Sequence, residues 1–201
     1  MPEGFVYLDE ALPGVCWDAK YASRDNFTGD AVDGYHVNRV VGSREMADAL
    51  RGAVLLAAGH GYTLLLWDGY RPRRAVDCFL RWAQSPEDGR TKARYYPNIT
   101  KSEIVPLGYV AAKSGHTRGS AVDLTLRGIG GQPLDMGGGF DLMDTRSHHG
   151  AEGLPPDAVR NRALLRGIME TSGFATYEKE WWHYSLNDEP YPDSYFDFPV
   201  R

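Results

Sequence analysis

The segment SGHTRGSAVDLTL, residues 114–126, sets His116 seven residues ahead of Asp123, with Gly119 between them. Imidazole and carboxylate are the donors that hold zinc in hydrolytic centres, where three protein ligands leave one position open for water. If the chain turns at Gly119 and returns as a strand, His116 and Asp123 supply two of the three. Side chains alternate along a strand, so Asp123 shares its face with Ala121 and Thr125, and a small alanine there leaves room for an ion. Leu124 and Leu126 then face the core. The segment EWWH, residues 180–183, offers the rest: His183 as third ligand and Glu180 as general base. Trp181 and Trp182 beside them would exclude solvent and strengthen the field of a bound ion.

Spacing alone leaves a second reading open. The pattern is not the HExxH helix of the common metalloproteases. Asp123 could merely accept backbone hydrogen bonds, and Glu180 could pair with Lys179 or an arginine. His148 and His149 are competing donors, although neighbouring histidines on an extended chain point opposite ways. His36 and His60 read as structural.

The elements that must position these groups are legible in part. Residues 1–42 are rich in Gly, Asp, Tyr and Asn, which suggests strands and ordered loops rather than helix. Ser43 then opens a stretch with apolar residues at 46, 49, 50, 53, 54 and 57, the spacing of a helix that stops at Gly59 or Gly61. TLLLWDGY reads as a buried strand, and Pro72 as the first residue of a second helix, where its missing N–H costs nothing. Residues 85–112 read as a long polar loop or short elements that could form a flap, and a loop of that length is usually functional or mobile. SAVDLTL alternates as a strand, and GIGGQPLDMGGGFD is glycine-rich loop. A third helix runs from near Pro156 to Gly173, and EWWHYSL has the aromatic density of a strand. Helices interleaved with short strands, without regular βαβ alternation, predict an α+β fold.

The chain of 201 residues suits one domain and can bury a core without staples. Its 42% apolar and 24% charged residues are ordinary for a soluble globular protein. A formal charge of −5 without a basic stripe argues against nucleic acid as a partner. No run approaches the roughly 18 apolar residues of a membrane span. The N-terminus MPEGFVYLDE is acidic where a secretory signal is basic, so a cytoplasmic location is expected. Cys16 and Cys78 are expected to be buried free thiols, as a reducing compartment disfavours a disulfide.

Taken together these segments resemble one family. SGHTRGSAVDLTL looks like the SxHxxGxAxD motif of the VanX-type D-alanyl-D-alanine dipeptidases, zinc enzymes of the M15 metallopeptidase group, and EWWH looks like their second motif. WDAKYASRDNFTG, LLLWDGYRP, DMGGGFDLMDTRSHH and the RNRALL helix are similar to the same family, in the same order, across nearly the whole chain. The resemblance implies a single domain with a central antiparallel sheet flanked by helices, the fold shared with D,D-carboxypeptidases and the hedgehog domain. It implies one Zn2+ held by His116, Asp123 and His183, with Glu180 as base and Arg71 steadying the developing oxyanion. Asp141 and Tyr21 stand where the dipeptide's amino group would be met, and Ser114 where its carbonyl or carboxylate would be held. Asp68 would orient Arg71 or the turn, and His148 and His149 would be structural. The expected substrate is D-Ala-D-Ala, cleaved for vancomycin-type resistance or for alanine salvage. A D,D-carboxypeptidase acting on peptidoglycan stems and a non-catalytic zinc-binding module remain the competing expectations. The sequence leaves a homo-oligomer open.

Overall fold

The three expected helices and the three strands singled out form as the local sequence predicts. The computed structural model describes residues 1–128 and 130–201; Ile129, within the expected glycine-rich loop, lies outside the described residues. The chain opens with β1 (Phe5–Tyr7), a one-turn helix α1 (Leu8–Ala11) and the two-residue strand β2 (Cys16–Trp17). The helix corrects the expectation of strands and loops alone before residue 43: Leu8, fully buried, anchors a turn too short to show a period. Then come β3 (Val41–Ser43) and α2 (Arg44–Gly59). Ser43 ends the strand and caps the helix, its hydroxyl oxygen accepting the Met46 N–H at 3.1 Å. We expect Ser43→Ala to lower the free energy of unfolding by about 1 kcal/mol, measured by chemical denaturation; an unchanged midpoint would mean the cap is dispensable.

Met46, Ala47, Leu50, Ala53 and Ala57 form the buried stripe of α2, which packs on β4 (Tyr62–Asp68). Next are α3 (Arg73–Gln84), α4 (Lys92–Tyr95) and α5 (Lys101–Ile104). Pro72 is the cap of α3 rather than its first residue, so the helix begins one position later than expected. The 85–112 stretch thus carries two one-turn helices. After β5 (Ala121–Gly128) come α6 (Pro156–Thr171), β6 (Phe174–Tyr177) and β7 (Glu180–Leu186).

The main sheet has the order β2-β4-β5-β7-β6, and β1 pairs with β3 separately. The architecture is α+β, and the sheet is antiparallel except for one addition to expectation: the edge strand β2 runs parallel to β4. Helix α6 packs against β6 and against α2. Both cysteines are free but half-buried rather than buried. Among the described residues no helix is long and apolar enough to cross a membrane.

Candidate metal centre and cavity

The site forms where three neighbouring strands are in register at one level: Asp68 of β4 lies opposite Asp123 of β5, which lies opposite His183 of β7. That row depends on irregular pairing. Trp67 is an extra residue in β4, a bulge between the Leu66–Leu124 and Asp68–Asp123 pairs. In β7 the partner of β6 jumps from Tyr184 opposite Thr176 to Glu180 opposite Tyr177. Residues three apart on a regular strand face opposite sides; the jump lets Glu180 and His183 line one cavity.

His116 reaches the row from a 3₁₀ turn, His116–Arg118, closed by Gly119 at φ 75°. A β-carbon at Gly119 would sit 2.4 Å from the Phe5 ring, so close approach as well as conformation requires glycine. The His116 Nδ1 proton is donated to the Gly69 carbonyl at 2.7 Å, because a carbonyl can only accept. Its Nε2 is the nitrogen left facing the row, 3.0 Å from His183 Nδ1 and 3.3 Å from the Asp123 carboxylate. His183 Nδ1 lies 3.1 Å from Asp123, and its Nε2 lies 3.2 Å from the Ser185 hydroxyl. Among the described residues no other three His, Cys, Asp or Glu side chains converge in this way.

These spacings fit zinc. Bonds of about 2.0–2.1 Å in a tetrahedron place ligand atoms about 3.3–3.4 Å apart, close to the 3.0, 3.1 and 3.3 Å edges of this triangle. The outward contacts of both rings, to Gly69 and Ser185, are the supports that orient ligating imidazoles. Burial works to raise the Asp123 carboxyl, but the imidazoles, His116 above all, outweigh it and hold it below the usual range. Burial holds His183 below the ordinary imidazole value against the pull of Asp123, so its ring is neutral and its lone pair available.

Arg71 lies beside the row. Its Nε donates to Asp68 at 2.9 Å and its Nη2 reaches Asp123 at 3.4 Å, while Nη1 has no hydrogen-bond partner among the described residues. Asp68 is fixed in turn by the Tyr35 hydroxyl at 2.7 Å and sits 3.6 Å from His116 Nδ1. Its orienting part was legible in DGYRP, three residues ahead of Arg71. Tyr35, Gly69 and Ser185 were not, because nothing local marks contacts made across the sheet.

Glu180 stands 3.8 Å from His183 Nδ1. Lys179, the partner weighed from sequence, donates instead to the Leu107 carbonyl. Burial, then Asp123 and Asp141, push the Glu180 carboxyl well above its usual value. Asp141 accepts from the Tyr21 hydroxyl at 2.9 and 3.1 Å, and burial followed by Asp123 raises it likewise. Ser114 accepts the His116 N–H at 3.2 Å, which leaves its own proton free to donate. All eight residues singled out from sequence line or touch one cavity of about 220 Å³. Residues 108–111 form its outer wall, held by Tyr177 donating to the Gly108 carbonyl at 3.1 Å and by Tyr109 at 3.2 Å from His148. His148 is thus a wall support, and His149 packs edge-on against Tyr184, away from the row.

The chain belongs to the M15 peptidase family described as D-ala-D-ala dipeptidase, whose model matches residues 1–201. It is 59% identical to a D-alanyl-D-alanine dipeptidase of Enterococcus faecium and 58% identical to one of Streptomyces coelicolor, each over the whole of both chains. A solved zinc complex of the vancomycin-resistance D,D-pentapeptidase VanY matches 75% of each chain at 16% identity with a TM-score of 0.46.

Proposed function

We propose that this protein is a zinc-dependent D-alanyl-D-alanine dipeptidase, releasing two molecules of D-alanine. The observation that carries the reading is the convergence of two imidazole nitrogens and a carboxylate at zinc-ligand spacing, from β5, β7 and the His116 turn, beside Glu180. His116, Asp123 and His183 would hold the ion, which when bound supplies the Lewis acidity that makes water a nucleophile near neutral pH.

The remaining work falls to side chains. Glu180 takes a proton from the attacking water and returns it to the departing amine nitrogen. Arg71, pinned by Asp68, turns its unpaired Nη1 toward the oxygen on which negative charge develops. Asp141, braced by Tyr21, receives the substrate ammonium, and the free Ser114 proton is donated to the carboxylate end. Four carboxylates (Asp68, Asp123, Asp141 and Glu180) surround one guanidinium. A divalent ion and one ammonium neutralise that excess, which favours a substrate with a free amino terminus.

The cavity of about 220 Å³ falls below the roughly 300–1,000 Å³ of drug-sized pockets. That size suits a free dipeptide and disfavours a stem peptide. N-acetyl-D-Ala-D-Ala, without the ammonium, leaves the buried Asp141 with the Tyr21 hydroxyl but no cation. Its kcat/KM should fall by roughly 10²-fold or more relative to D-Ala-D-Ala; comparable rates would refute a closed amino-terminal pocket. The deciding test of the function is D-alanine release from D-Ala-D-Ala by zinc-loaded and chelator-stripped protein. Release that stops on stripping and returns with zinc is expected. Turnover indifferent to metal would overturn the reading, and zinc binding without turnover would favour a binding module.

A further inference from the structure

Asp141 is the described non-glycine residue with positive φ, at 59°. For an L-residue that conformation costs of order 1 kcal/mol or more, and it persists only where the surroundings impose it. Its own loop is poorly suited to impose it, since Gly137, Gly138 and Gly139 run directly up to Phe140 and Asp141. A run of glycines loses the most backbone freedom on ordering. The loop contributes one long bond across Asp141, the Leu142 N–H donating to the Gly139 carbonyl at 3.4 Å, so contacts from outside must add to the constraint.

Arg162 supplies one. It projects from α6, is buried to 5% exposure, and has no carboxylate within ion-pair distance among the described residues. Instead its Nε donates to the Met136 carbonyl at 2.6 Å, Nη2 to that of Arg146 at 2.9 Å and Nη1 to that of His148 at 3.0 Å. The first acceptor lies before Asp141 in sequence and the other two after it. The guanidinium also stands 5.6 Å from the centre of the Trp181 ring, next in sequence to Glu180. Burial pulls its pKa down to about 10, so it stays charged at neutral pH. Burying a cation without a counter-ion is costly, and stability alone could be served by an apolar side chain. What a guanidinium adds is a planar fork of fixed donors that aligns three carbonyls at once.

We propose that Arg162 is a positioning residue for substrate recognition, its fork gripping both limbs of the 136–148 loop so that the Asp141 carboxylate is held facing the cavity. The inference rests on the reading of Asp141 as the ammonium site. It assigns Arg162 no contact with substrate and no part in the proton transfers.

The test is a double-variant cycle on the zinc-loaded enzyme: wild type, Arg162→Lys, Asp141→Asn and the pair, assayed on D-Ala-D-Ala with zinc content measured for each. Arg162→Lys keeps the charge but loses the fork. It should raise KM roughly tenfold to a hundredfold, with kcat within about threefold and zinc unchanged, the pattern of lost substrate binding. In the Asp141→Asn background the same change should add less than about twofold, because the group it positions is already lost. Arg162→Met is run alongside; if it does not fold, Arg162→Lys still decides. If Asp141→Asn raises KM and the Arg162→Lys effect multiplies with it, or if Arg162→Lys leaves KM unchanged, Arg162 is not a positioning residue. If Asp141→Asn leaves KM unchanged, the ammonium assignment itself fails.

Discussion

Replacement of Glu180 by glutamine is expected to lower kcat on D-Ala-D-Ala by about 10²–10⁴-fold while the protein keeps its zinc. The substitution preserves size and hydrogen-bonding shape and removes only the capacity to accept a proton. Three donors without Glu180 already converge at ligand spacing, so metal content should be unaffected. The side chain has no hydrogen-bond partner among the described residues to lose, and removing a buried carboxylate near Asp123 and Asp141 relieves repulsion, so stability should hold or rise. Metal analysis, thermal unfolding and turnover on one preparation check all three. Loss of zinc would make Glu180 a ligand; near-normal turnover would place the base elsewhere.

The second large effect is expected at Arg71. Arg71→Ala should cost about 10²–10³-fold in kcat, the range for removal of one oxyanion donor. Here stability and catalysis must be separated, because the guanidinium is also the partner of buried Asp68. Breaking a buried pair by removing one member costs about 3–5 kcal/mol. Asp68 keeps the Tyr35 hydroxyl, so the loss should fall toward the lower end and the fold should survive. Arg71→Lys is the control: it retains a charge beside Asp68 but cannot donate from two fixed directions. It should recover much of the stability and little of the rate. Recovery of both would show that Arg71 supplies charge alone, and near-normal turnover in Arg71→Ala would leave it a structural residue.

The two effects differ in kind because their surroundings differ. Glu180 faces the cavity without a hydrogen-bond partner among the described residues, which suits the proposed role of a group that changes its protonation. Arg71 is held by Asp68 and flanked by the Tyr21 and Phe79 rings, which suits the proposed role of a fixed charge. The same contrast separates Asp141 from Ser114: the first depends on a loop held from afar, the second on the turn that also carries His116.

Much of this was legible in the chain itself. The apolar stripe of α2, the Ser43 cap, the alternation of β5 and the proline and glycine that bound α6 are local signals, because helix and strand periodicity is written into adjacent residues. Donor types were equally plain, since zinc is held by cysteine, histidine and acidic side chains and the two cysteines lie far from the histidine motifs in sequence. What the residues alone left undecided was whether His116 and Asp123 ever meet His183, about 60 residues further on. That was decided by the pairing of β5 with β7 and by the Gly119 turn that brings His116 back to it; the extra residue at Trp67 and the jump between Glu180 and Tyr184, which no periodicity encodes, aim Asp68 and Glu180. Likewise, one-turn α1, the parallel edge strand β2 and the Arg162 fork arise from contacts between distant segments. The sequence by itself determined which groups could do the chemistry and most of the elements that carry them, because those depend on near neighbours. Only the tertiary structure decided their distances and faces, because a bulge or a register jump reverses the direction of a side chain at little local cost.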